Sequence, residues 1–221
     1  MSRFYDDNYR NWLKTTESLN ALRVGLRSFV ENETETYHGS LKSKLGSKDA
    51  VCRIKCDGKQ WQNKRPDQIP KCEVCTRWKA LILANHKSAT GYGVYWKECF
   101  PHLWPTEKWE VAKVYMPQGH RDHRCFDQFD IAALMVLMSN CKHFRTFVKD
   151  QQRINKVTRV RNRVMHSPDF TLVQDDFQLF LSTIKEFALL LQEHAHDLKT
   201  LPQEIDKMCE IVDNGIEPAT L

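Results

Sequence analysis

Asp150-Gln-Gln-Arg153-Ile154-Asn-Lys156-Val157-Thr-Arg159-Val-Arg161-Asn162-Arg163-Val164-Met165-His166-Ser167-Pro168 reads as a single amphipathic helix stopped by a proline. At about 100° per residue, Ile154, Val157, Val164 and Met165 share one apolar face, with Arg161 in its middle. A guanidinium cannot shed its charge and is rarely buried alone, so Arg161 calls for a carboxylate partner or a polar cleft. Lys149, Arg153, Lys156, Arg159 and Arg163 gather on the opposite face. His166 sits in the last turn, beside the negative end of the helix dipole, which favours the imidazolium and suits proton transfer. The blander reading makes Arg161 a buried ion-pair residue and His166 a helix cap.

Outward from this helix the chain is also helical. Residues 5 to 45 carry Trp12, Leu13, Leu19, Leu22, Leu26, Phe29 and Val30 at helical spacing, which predicts one or two long helices with Ser18 as a candidate cap for the second. Cys125 to Cys141 reads as a strongly apolar central helix, on which Asp130 is a candidate partner for Arg161. Residues 174 to 199 hold one long apolar stripe, and a last segment opens at Pro202 and is expected to end at Gly215.

The chain has 221 residues, 41% of them hydrophobic, with a net charge of +5. That is enough for one large domain or a domain with an insertion. The charge is uneven: residues 142 to 163 hold eight Lys and Arg against one Asp, a surface suited to a polyanion. No stretch reaches the roughly 20 apolar residues that cross a bilayer, and no signal peptide is visible, so an intracellular, cytoplasmic or nuclear protein without membrane attachment is expected.

In a reducing compartment the eight cysteines need an explanation other than disulfides. Cys52, Cys56, Cys72, Cys75 and Cys99 follow the spacing C-x3-C-x15-C-x2-C-x23-C, and short cysteine pairs of this kind converge on tetrahedral Zn(II). The expected ligands are Cys52, Cys72, Cys75 and Cys99, with Cys56 as the substitute for Cys52. The helix predicted from Cys75 to His86 sets those two roughly 16 Å apart, which keeps His86 away from the same ion. A closed four-thiolate site would hold structure together and would not hydrolyse a substrate.

Arg161-Asn162 followed by His166, on a long helix of a small α bundle, resembles the R-x(4-6)-H signature of the HEPN superfamily. Tyr9-Arg-Asn-Trp-Leu-Lys14, Ala50-Val-Cys52, Cys72-Glu-Val-Cys75, Trp78-Lys79, Trp96, Cys99, Trp104-Pro105, Trp109-Glu-Val-Ala-Lys113, Met116-Pro117 and Met165-His166-Ser167 resemble the family of the human chromosome X open reading frame 38 protein over nearly the whole chain. Cys56 departs from that family's offset, so Cys52 and Cys56 both stay open as the fourth ligand. The superfamily resemblance implies a homodimeric, metal-independent endoribonuclease in which His166 moves protons, Arg161 steadies the phosphate and Asn162 orients. Arg161 and His166 lie about 140° apart on an ideal helix, so facing one target requires two chains or an unwound helix end.

The expectation is therefore a mainly α, HEPN-like helical bundle with a zinc-stabilised insertion. Its segments are 1–45, a cysteine-rich insertion 46–105, a core 106–200 with the Arg-Asn/His motif, and a C-terminal helix and tail 201–221. RNA is the expected partner. The rival is a non-enzymatic interaction or dimerisation module, with a protein partner at the zinc insertion.

Overall fold

The protein is described by a computed structural model covering residues 3–46, 51–61, 72–88, 90 and 93–214. Ala50 and Gly215, both named above, lie outside the described residues. The structure is mainly helical. Among the described residues the one β feature is an isolated antiparallel bridge between His86 and Cys141. The helices are α1 (Asp7–Gly25), α2 (Arg27–Leu45), α3 (Glu73–Ala84), α4 (Lys108–Ala112), α5 (Ile131–Asn140), α6 (Lys142–Arg145), α7 (Gln151–Met165), α8 (Gln174–Leu191) and α9 (Leu201–Asn214).

The chain divides into two compact units, residues 1–29 with 150–221 and residues 30–149. These bounds differ from the expected 45/46, 105/106 and 200/201 borders. In the first unit, α1 packs on α7, α8 and α9, and α8 packs on α7 and α9. Its core is the stripe the periodicity predicts: Leu19 and Leu22 of α1, Ile154, Val157 and Val164 of α7, and Phe177, Ile184 and Phe187 of α8. Lys14 locks α9 in place through Asp213, at 2.7 Å.

Two helical expectations are corrected here. The long N-terminal run breaks at Leu26, after Gly25, whose missing Cβ would lie 2.6 Å from Leu198 Cδ2. Ser18 does not cap a second helix; it lies within α1, and its hydroxyl donates to the Lys14 carbonyl. The helix expected from Cys125 begins only at Ile131, because the Asp130 carboxylate caps it by accepting from Ala133 N–H at 2.8 Å. Asp130 falls in the second unit and Arg161 in the first.

In the second unit Ile131, Leu134, Met135, Leu137 and Met138 of α5 are buried, as are the aromatic residues Trp104, Trp109, Tyr115, Phe126, Phe129 and Phe144. The turn Gly58–Gln60 packs on the turn Trp96–Glu98. Gly58 makes that approach possible. A Cβ there would stand 1.7 Å from the Trp96 carbonyl oxygen, and the Gly58 N–H donates to the Cys99 carbonyl at 3.1 Å.

Candidate functional site

Four cysteines meet in the second unit. The sulfurs of Cys52, Cys56, Cys72 and Cys75 all lie within 4.8 Å of one another, and all four residues are buried. Two local devices bring them together. Lys55 takes φ 47°, a left-handed conformation that folds the short Cys52–Cys56 segment back on itself, so that Cys56 N–H donates to Cys52 Sγ at 3.4 Å. Cys72 is the N-cap residue of α3 and Cys75 lies in its first turn, so both sulfurs stand at the positive end of the helix dipole. Cys72 Sγ is 3.6 Å from Cys52 Sγ.

The donor set fits a metal that prefers four sulfurs. Tetrahedral Zn(II) with bonds of about 2.3 Å sets its sulfurs about 3.8 Å apart, close to what this cluster already shows. Burial pushes the Cys56 thiol up to about 12 and the Cys75 thiol higher still, in both cases reinforced by neighbouring cysteines. For Cys52 burial acts upward, but hydrogen bonds from the Cys56 backbone and the thiols of Cys75, Cys72 and Cys56 outweigh it, and its value is lowered. Four thiolates this close would repel one another, the charge problem a divalent cation solves.

Cys99 is not in this set. The structure brings Cys52, Cys72 and Cys75 together as expected but puts Cys56 in the fourth place alongside Cys52, not instead of it. Cys99 is fully buried elsewhere, and its backbone does the work: its N–H donates to Trp96 and its carbonyl accepts from Gly58. His86 also stands apart. It is buried, stacked on Tyr115 at 5.6 Å and bound through Nδ1 to the Ser88 backbone.

In the first unit the terminal turn of α7 carries the other candidates. Arg161 is half-buried, not sunk in the apolar face, and its Nη1 donates to Asn162 Oδ1 at 3.3 Å. The inward position is held by Val160, while Met165, expected inside, is 43% exposed. The buried face is therefore Ile154, Val157, Val160 and Val164, rotated away from Arg161. His166 is exposed and stands at the C-cap with φ −103° and ψ 12°, outside helical geometry, and its N–H donates to the Asn162 carbonyl. Asn162 thus touches both neighbours, through its side chain to Arg161 and its backbone to His166.

The basic face is partly balanced. Arg153 pairs with Glu186 at 2.7 Å and lies 3.8 Å from Asp150, and Arg163 lies 3.9 Å from Asp176. Lys156 and Arg159 are exposed on the same helix, whereas Lys149 belongs to the second unit.

Sequence reading missed a buried ionic network. Glu110, fully buried, accepts from Phe100 N–H at 2.8 Å, from Lys113 Nζ at 2.6 Å and from Arg124 Nη1 at 2.8 Å. Arg121 reaches Asp57 at 2.6 Å and stacks over Phe100. The polar loop His120–Arg124 thus turns two of its cations, Arg121 and Arg124, toward buried or half-buried partners. The i,i+3 spacing of Glu110 and Lys113 was the available signal.

A model of a domain of unknown function, DUF4559, matches residues 3–221. The chain belongs to this family. A mouse relative, an uncharacterised protein described as a CXorf38 homolog, is 32% identical to this DUF4559 chain over 197 residues, covering 88% of it and 57% of the relative. The chain therefore spans under two thirds of that relative's length. No solved structure matches this DUF4559 chain.

Proposed function

We propose that this protein is a HEPN-like, RNA-binding endoribonuclease that works as a homodimer, with Zn(II) on Cys52, Cys56, Cys72 and Cys75 as a structural element. One observation carries the reading: Arg161, Asn162 and His166 cluster at the C-terminal end of α7, Asn162 and His166 exposed and Arg161 half-buried, while Ile154, Val157, Val160 and Val164 take over the packing. A structural ion pair is the alternative role for Arg161, whose half-buried side chain lies on the rim of the apolar face. His166 already stands outside the helix, which loosens the angular constraint that separates it from Arg161.

The chemistry asked of the chain is modest. His166 accepts the proton of an RNA 2′-hydroxyl as its oxygen bonds to phosphorus, and the bond to the 5′-oxygen breaks, leaving a 2′,3′-cyclic phosphate. His166 of a second copy returns a proton to the leaving oxygen. Arg161, whose guanidinium can offer two parallel donors, holds the phosphate oxygens as charge develops, and Asn162 fixes the Arg161 side chain. Zinc in a closed four-sulfur shell organises the second unit and leaves the reaction to these side chains.

The test is cleavage of single-stranded and structured RNA in excess EDTA by the natural protein and by His166→Ala purified in parallel. Cleavage by the first alone supports the nuclease. No cleavage by either, in a preparation shown to be dimeric, moves the reading to a non-enzymatic interaction module.

A further inference from the structure

Beside the α7 turn, four aromatic rings form a continuous ladder within the first unit. Phe4 meets Tyr9 edge-on at 5.6 Å, Tyr9 stacks on Trp12 at 6.0 Å, and Trp12 meets Phe170 edge-on at 5.0 Å. The Arg3 guanidinium lies over both Tyr9 and Phe170, at 5.8 and 5.7 Å. The ladder is tied to the candidate catalytic turn, because Trp12 Nε1–H donates to the Val164 carbonyl at 2.8 Å, two residues before His166.

Two features set this ladder apart from ordinary packing. Its ends face water: Phe4 is 48% and Phe170 44% exposed, with Tyr5, at 48%, beside Phe4. Core aromatics would turn inward, and exposed apolar patches next to polar rims mark binding surfaces. Phe170 is also held at φ 54°, the left-handed region that a bulky side chain avoids. Its loop is fixed there by Ser167, whose hydroxyl donates to the Thr171 carbonyl and accepts from the Thr171 N–H, both at 3.0 Å. Of the acids alongside, Asp6 caps α1 by accepting from Asn8 N–H and Asp7 binds Arg10, while Asp169, next to Phe170, is exposed.

We propose that the Phe4–Tyr9–Trp12–Phe170 ladder is a stacking platform for the bases of single-stranded RNA, which sets the strand against Arg161 and His166. This deepens the RNA reading above and rests on it. Aromatic faces flanked by arginine are what unpaired bases and their phosphates need together, and in a duplex the base faces are already taken. Arg3 lies on the platform, and Arg159 and Arg163 project from the adjoining helix.

The test uses the full chain carrying His166→Ala, so that RNA is bound and not cut. Fluorescence anisotropy is read with a labelled single-stranded RNA, the corresponding RNA duplex and an abasic ribose-phosphate strand of equal length. Into this background go Phe170→Gly, which suits the left-handed backbone, Phe4→Ala, and Phe170→Trp as the conservative replacement. The platform predicts that the single strand binds more tightly than the abasic strand. Phe170→Gly and Phe4→Ala each weaken the single strand by on the order of 5- to 100-fold while leaving the duplex unchanged, and Phe170→Trp restores affinity. If all the variants bind the single strand like their parent, the platform is overturned while RNA binding stands. If no RNA binds the parent, both readings fall. If Phe170→Gly and Phe4→Ala instead turn dimer into monomer in sedimentation at unchanged RNA affinity, the occupant is a second copy and the platform is overturned.

Discussion

Replacing Cys56 by alanine should release the metal, and replacing Cys99 should not. Cys56 is one of four mutually close sulfurs, so its loss leaves three donors and an open position. Structural zinc binding is worth about 10–16 kcal/mol in small domains near neutral pH. If one thiolate of four carries about a quarter of that, Cys56→Ala costs on the order of 3 kcal/mol of metal binding, about 100-fold in affinity. Cys99 is fully buried, and its hydrogen bonds to Gly58 and Trp96 are made by its backbone, which alanine keeps. The loss there is one sulfur's packing, about 1 kcal/mol on the scale of small core truncations. Competition against a chromophoric zinc chelator, with elemental analysis of each variant, reads both numbers. Acid should also release metal from the natural protein, since protons compete for thiols that burial already keeps protonated. Retention of metal by Cys56→Ala with its loss from Cys99→Ala would refute the assignment.

If Arg161 serves a phosphate and not the fold, Arg161→Ala should lower stability by no more than about 1 kcal/mol; a loss of about 3–5 kcal/mol in denaturant titration would restore the buried-pair reading. Lys113→Met removes one of two cations from the fully buried Glu110 carboxylate and should cost about 3–5 kcal/mol in the same titration. Gly58→Ala should disrupt the second unit, since its Cβ meets backbone at 1.7 Å, and far-ultraviolet melts would show a lower transition. Burial holds His38, His86 and His120 below the ordinary histidine value, so the folded chain binds fewer protons than the unfolded one as pH falls below about 6.5. Stability from these groups is therefore full above that pH and declines below it, and thermal melts from pH 8 to 5.5 should show this, less steeply in His38→Gln.

The helical class and the two cysteine pairs were legible because they are local: apolar spacing in α8, Cys72-x-x-Cys75 at a helix start. The choice between Cys56 and Cys99 was not, since it depends on the left-handed Lys55 turn and on a Gly58 contact across the fold. The wheel for α7 placed Met165 inside and left out Val160; the helix ends at Met165, and packing on α1 and α8 chose a face shifted away from Arg161. In the run from Cys125, apolar content outweighed the Asp130 cap that fixes where α5 begins. The aromatic ladder joins rings from positions 4 to 12 with one at 170, a pairing no local pattern carries.

The division of the chain has a consequence for its birth on the ribosome. α1 bonds to residues 161 and 199 positions later, through Asn11 to Leu172 and Lys14 to Asp213. At roughly 5–20 residues per second, α1 waits on the order of ten seconds or more for its partners, while the cysteine unit emerges whole in between. An amphipathic helix left bare for that long is a ligand for chaperones, and on the zinc reading proposed above, metal supply would govern how soon the intervening segment stops being one too.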